Sequence, residues 1–97
     1  MSTHVIIERK VKEGKETEAL NILRELRVLA LHRKGYFCGE TMRSRDDPST
    51  YVVLGIWQRP EDWEAWQNDP ERKKIVKKLE QFLVNREKVS IYLSVSF

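Results

Sequence analysis

The chain has 97 residues, with 18 basic and 15 acidic side chains, a net charge of +3, two histidines and one cysteine. That length holds a single domain and excludes a second core, while a lone cysteine excludes an intrachain disulfide or a cysteine metal cluster. The mild positive charge permits weak attraction to polyanions without requiring it.

Residues 3–10 are β-rich, with Val5, Ile6 and Ile7 consecutive. That apolar run is too short for the core of a signal peptide, and no stretch approaches the roughly 20 apolar residues of a membrane span. A soluble, cytoplasmic protein is expected. From Lys15 to Lys34 the apolar residues Ala19, Ile22, Leu23, Leu26, Leu29 and Ala30 recur at helical spacing. Glu16 and Glu18 open that helix and His32, Arg33 and Lys34 close it, as the helix dipole favours. Gly35 follows as a left-handed cap.

Tyr36 to Arg45 alternates as a strand, Asp46-Asp47-Pro48-Ser49 supplies turn chemistry, and Thr50 to Gln58 pairs back as a hairpin. Pro60, Glu61 and Asp62 begin a short helix. Asp69-Pro70-Glu71 begins another, with an Asp N-cap and Pro in the first turn, predicted to run to about Asn85. Lys88 to Ser96 closes the chain as an alternating strand, with Val89, Ile91, Leu93 and Val95 on one side.

The order predicts an α+β, ferredoxin-like βαββαβ fold with a four-stranded antiparallel sheet and its helices on one face. The apolar runs Val5-Ile6-Ile7 and Val52-Val53-Leu54 predict that the first and third strands are central and buried on both sides. The helices can cover only one face. A second copy packed sheet against sheet, a homodimer closing a dimeric α+β barrel, is the economical cover for the other.

Most chemistry-bearing motifs are absent or have plain readings. The four glycines are scattered rather than gathered in a phosphate loop. His4 and His32 lack a second metal ligand at helical spacing, so no metal is expected. Arg72, Lys73, Lys74, Lys77 and Lys78 read as the solvated face of their helix, not as a nucleic-acid surface. Cys38 reads as buried filler, and Gly55 as a structural residue of its strand.

The densest signal runs from Trp57 to Arg72, WQRPEDWEAWQNDPER, with three tryptophans that can each bury roughly 200 Å². Trp57 reads as core at the end of its strand. Trp63 and Trp66 are three apart and share the helix face that looks toward the sheet. Trp66 either walls a pocket or packs as core.

With Val11-Lys12-Glu13-Gly14-Lys15, the Arg45-Asp46-Asp47-Pro48 turn, Asp62-Trp63-Glu64-Ala65-Trp66 and Asp69-Pro70-Glu71-Arg72, the whole chain resembles the antibiotic biosynthesis monooxygenase domain. The resemblance implies a dimeric ferredoxin-like fold. It further implies cofactor-independent monooxygenation of a small aromatic such as a quinol or polyphenol, with O2 as co-substrate and no cofactor. A haem-degrading branch uses an Asn on the first strand, a Trp on the short helix and a His on the next. Trp66 holds the Trp position, Val76 stands at the His position and the first strand has no Asn, so haem degradation is not expected. On this resemblance Trp66, Tyr36 and Arg43 are candidate catalytic residues, and Trp63, Trp66, His4 and Tyr51 candidate pocket residues; Tyr92 is a further polar candidate. The alternative is a non-catalytic member of the same fold that binds a small ligand or serves as a dimeric interaction module. Haem binding without turnover, through His4 or His32, ranks third. Neither a nucleic acid nor a membrane is expected as partner.

Overall fold

Local sequence chemistry sets where each element begins and stops. The computed structural model describes residues 1–97 and forms β1 (Thr3–Lys10), α1 (Glu16–Ala30), β2 (Tyr36–Arg43), β3 (Thr50–Trp57), α2 (Pro60–Gln67), α3 (Pro70–Glu80) and β4 (Lys88–Leu93). The Asp69 side chain caps α3 by accepting from the Glu71 N–H at 2.8 Å, with Pro70 at the first helical position. In the β2–β3 hairpin, Asp47 accepts from Ser49 Oγ at 2.7 Å and Thr50 Oγ1 at 2.8 Å. The Ser49 and Thr50 bonds pull its carboxyl from 3.8 down to about 2.

Three helices lie against one antiparallel sheet of order β2-β3-β1-β4, so β1 and β3 are central and β4 is an edge. This is the expected α+β, ferredoxin-like arrangement with a short extra helix. Three boundaries differ by three residues or more. Helix α1 stops at Ala30, not Lys34, because His32 and Arg33 bond back three residues, to Leu29 and Ala30, and tighten the chain into turns. Helix α3 stops at Glu80, not Asn85. There Phe82 and Val84 are drawn into backbone bonds with Lys12 and Lys10, each at 2.8 Å, and Leu83 bridges Val11. Strand β4 ends at Leu93 rather than Ser96: its ladder with β1 stops at the Thr3–Leu93 pair, and only Ser94 bonds on, donating to the Ser2 carbonyl at 3.0 Å.

Gly35 has the left-handed conformation expected of it, φ +82°, five residues after α1 rather than as its immediate cap. It also lies where a Cβ would overlap the Asp62 carboxylate of α2. The turn therefore needs glycine on two separate grounds.

Register divides the sheet into two faces. Val5, Ile7 and Arg9 of β1 stand opposite Gly55, Val53 and Tyr51 of β3, and this set turns toward the helices. The core is here, with Ala19, Ile22, Leu23 and Leu26 of α1 and Ile75 and Leu79 of α3. His4, Ile6, Val52, Leu54 and Ile56 occupy the other face, half-buried, and no element of the chain lies over them. The apolar runs of β1 and β3 thus serve one packed face and one uncovered face. Cys38, expected as buried filler, is exposed on that second face beside Ile56. Ile91 and Leu93, on the apolar side of β4 and opposite Val5 and Thr3 of β1, are each 48% exposed at the sheet edge.

Candidate functional site

Between β1–β3 and helices α1 and α2 lies a cavity of about 50 Å³ lined by 14 residues, ten of them hydrophobic. Val5 and Ile7 of β1, Val53 and Gly55 of β3, and Leu23, Leu26 and Ala30 of α1 form its apolar walls. Gly55 makes no bulge in the β1–β3 register. Its missing side chain leaves space that a Cβ would fill, 3.4 Å from Trp57 Nε1.

The tryptophan corner closes the cavity. Trp57 lies nearly parallel to Trp66, with ring centres 6.4 Å apart at 28°, and meets Trp63 edge-on at 6.0 Å. Tyr36 packs edge-on against Trp57 at 5.1 Å. All four rings line the cavity. Spacing three apart on α2 is what turns Trp63 and Trp66 toward the sheet together. Core and wall are not alternatives here: Trp57 and Trp63 are each 2% exposed and still face the void.

The polar atoms of the cavity come from a narrow chemical set. The Trp63 indole N–H and the Tyr36 hydroxyl are buried without a hydrogen-bond partner. Burial pushes the Tyr36 phenol above its ordinary value, against the pull of nearby Arg27. Arg27 reaches from α1 across to β2, donating from Nη1 to the Gly39 carbonyl and from Nη2 to Thr41 Oγ1, each at 2.9 Å. Gly39 keeps this junction open, since a Cβ there would stand 2.6 Å from the Tyr36 oxygen and 3.2 Å from the Arg27 guanidinium carbon.

Arg9 and Arg72, also lining the cavity, share one carboxylate. Arg9 donates to Glu87 Oε2, with Nη2 at 2.7 Å and Nε at 2.9 Å, and Arg72 Nη2 donates to Oε1 at 3.1 Å. Burial works to raise the Glu87 carboxyl, but the two guanidinium groups outweigh it and hold the group below the usual carboxylate range. Burial lowers Arg9 from the ordinary arginine value; Glu87 opposes this and Arg72 adds to it by repulsion. Arg72 lies over the Trp63 ring at 5.2 Å, and Arg33 over Trp66 at 5.3 Å.

Of the residues put forward from sequence as catalytic or pocket candidates, Trp63, Trp66 and Tyr36 meet at the cavity, and His4, Arg43, Tyr51 and Tyr92 do not. His4 is on the opposite face of β1, with Nε2 3.1 Å from Ser2 Oγ, and Tyr92 sits across from it on the same face. Tyr51 is buried on the helix side, yet it and exposed Arg43 line a separate groove beside the hairpin, with Asp47 and Pro48. Strand alternation explains His4, and distance along β3 explains Tyr51.

The arginines are what sequence reading missed. Arg72, taken for part of a solvated basic face, is 4% exposed, because Glu87 and Trp63 hold it inward. The signal was present. Arg9 is in phase with Val5 and Ile7 along β1, and Arg72 is in helical phase with Ile75 and Leu79 along α3.

A family model described as antibiotic biosynthesis monooxygenase matches residues 2–78. No curated protein sequence matches the chain. Among solved structures, a candidate antibiotic biosynthesis monooxygenase from Nitrosomonas europaea superimposes with a TM-score of 0.88 at 17% identity, covering 97% of this chain and 90% of that one. A conserved protein from Methanosarcina mazei gives 0.88 at 20% identity over 95% and 91% of the two chains. SnoaB, a cofactor-independent oxygenase from Streptomyces nogalater, gives 0.86 at 12% identity over 99% and 95%. At these identities the likeness establishes the fold.

Proposed function

The chain belongs to the antibiotic biosynthesis monooxygenase family, and from that premise we propose that it is a cytoplasmic, cofactor-independent monooxygenase of a small, quinol-like aromatic. The observation that carries this reading is the cavity walled by Trp57, Trp63, Trp66 and Tyr36, with an indole N–H and a phenolic hydroxyl buried there unpartnered. Flat apolar walls suit an aromatic ring, and the unpartnered N–H and hydroxyl suit its oxygen substituents. In such a reaction the substrate supplies the electrons: at a ring carbon that is CH2 in the phenol's keto tautomer, one atom of O2 enters as a carbonyl oxygen, and the other leaves with both hydrogens as water. The protein's part is to orient the ring and keep bulk water from the reactive intermediate.

Size sets a condition on this reading. About 50 Å³ is well below the roughly 300 Å³ at which ordinary ligand pockets begin. A substrate therefore enters only as the wall gives way, and Arg27, one part of that wall, is held by two hydrogen bonds from α1 across to β2. The reading includes a homodimer, with the uncovered face of β1 and β3 against its copy about 10 Å away.

A second reading, a non-catalytic binding module, draws on a specific feature: no histidine or carboxylate lines the cavity to take a substrate proton. Oxygen uptake by purified protein with a panel of hydroquinones and naphthols separates the two. Protein-dependent uptake that falls at least tenfold in Trp66→Phe supports the monooxygenase. No uptake with any compound, together with quenching of tryptophan fluorescence by some of them, supports the binding module.

A further inference from the structure

We propose that the cavity is an anion site, taking its aromatic ligand as a phenolate whose charged oxygen is held by Arg27 with the Arg9–Arg72 pair behind it. The proposal rests on reading this cavity as the substrate site, and it names the form in which the substrate binds.

Charge balance is the first ground. Three guanidinium groups line the cavity, and the only carboxylate on any of them is Glu87. Arg27 forms no ion pair at all; its partners are a carbonyl and a hydroxyl. Arginine stays protonated in proteins, so the cavity wall carries about two positive charges more than its fixed counterions neutralise. Of these, Arg9 and Arg72 are buried and share one carboxylate, while Arg27 is half-buried; a buried cation without its own counterion is unfavourable. An anion in the cavity would relieve it.

The second ground is the character of the remaining polar atoms. The Trp63 N–H can only donate, and the Tyr36 hydroxyl stands unpartnered beside Arg27. Donors gathered around a void, with no carboxylate among its lining residues, fit an acceptor carrying negative charge. The apolar majority of the lining fits a ring rather than a hydrated inorganic ion.

Chemistry gives the third. A cation within about 4–6 Å lowers the pKa of an acid by roughly one to three pH units. A phenol entering this site can lose its proton to bulk water and bind as its conjugate base. The absence of a histidine or carboxylate in the cavity is then no obstacle, because electrostatics replaces the general base. A phenolate is also the electron-rich form from which an electron passes most readily to O2.

The test uses 4-nitrophenol, a small phenol whose ionised form is coloured, and requires no turnover. Absorbance titrations with saturating wild-type protein should show bound nitrophenol ionising at least one pH unit below the free compound, equivalent to tenfold tighter binding of phenolate than of phenol. Uncharged 4-nitrotoluene and cationic 4-nitrobenzylamine should bind at least tenfold more weakly. Arg27→Gln should remove most of the shift, and Arg27→Lys should retain it. Ionisation at or above the free value, equal binding of 4-nitrotoluene, tighter binding of 4-nitrobenzoate, or no binding at millimolar concentration would each overturn the proposal. The two failures are separable. If nitrophenolate binds with its shift but no quinol drives oxygen uptake, the monooxygenase reading fails and the anion site stands. Uptake without any shift gives the reverse.

Discussion

The guanidinium of Arg72 lies over the face of Trp63, 5.2 Å from its centre, while donating to Glu87 Oε1 at 3.1 Å. One side chain of α3 is thereby tied both to the helix that closes the cavity and to the segment that leads into β4. Arg9 joins the same carboxylate from β1. Glu87 is the only anion in this group, and its loss would leave two buried cations facing each other. Glu87→Gln is expected to destabilise the fold by about 3–5 kcal/mol, the cost of breaking a buried ion pair from one side. Urea unfolding followed by tryptophan fluorescence measures this, and a loss under about 1 kcal/mol would show that water already solvates the pair.

Acid should weaken the fold through the same carboxylate. The folded-state values of Glu87, Asp69 and Asp47 are all depressed: Glu87 by Arg9 and Arg72 against the opposing effect of burial, Asp69 by its bond from Arg33, and Asp47 to about 2 by bonds from Ser49 and Thr50. For a depressed group the unfolded chain takes up the proton first, so the stabilisation is complete above the unfolded value and is lost as pH falls through the folded one. The urea midpoint should hold steady from pH 7 to about 5 and then fall between about pH 4.5 and 2. Asp47→Asn should flatten the lower end of that decline. A midpoint unchanged down to pH 3 would contradict the assignment.

What could be read in the sequence follows from what kind of signal each residue sends. Val5, Ile7 and the Ala19–Leu26 stripe announce their elements by period, and Asp69-Pro70 announces a helix start by local chemistry. Trp63 and Trp66 announce a shared face by spacing. Arg9 and Arg72 were hidden because charge is normally evidence of solvent, and what reverses it here is Glu87, 15 positions beyond Arg72 and 78 beyond Arg9. Arg27 was hidden in the same way, its partners Gly39 and Thr41 being brought near only by the fold. His4 and Tyr51 misled for the opposite reason. Their chemistry was suggestive, but face and distance along the strand decide, and neither can be had from residue type.

Gly35 joins the end of α1 to α2 through a close approach to Asp62, at a φ of +82°. Gly35→Ala adds a side chain in a left-handed conformation, at roughly 1–2 kcal/mol, and also drives it into a carboxylate held at 3.3 Å by Arg59. The combined effect should exceed 2 kcal/mol and lower the Tm by about 8 °C or more for a domain of this size. Gly14, with φ +79° and nothing near its absent Cβ, is the internal control. Gly14→Ala should show the backbone cost alone, and equal Tm losses for the two variants would remove the steric part of the account.

The uncovered sheet face carries the last prediction. Leu54 stands opposite Ile6 on β1 and Glu40 on β2, half-buried with no element of the chain above it. Patches of this kind on central strands seldom stay bare, and a two-fold copy would bring Leu54, Ile6 and Ile56 into contact with their equivalents. Light scattering at low micromolar concentration should give twice the chain mass of 11.6 kDa. Leu54→Glu should reduce it to the single-chain mass while leaving the circular dichroism spectrum unchanged, because a charge on that face repels its own copy without touching the helix-side core. A wild-type protein that scatters as a monomer would refute the dimer. A Leu54→Glu variant that remains dimeric would place the contact elsewhere, with exposed Ile91 and Leu93 at the β4 edge the next surface to alter.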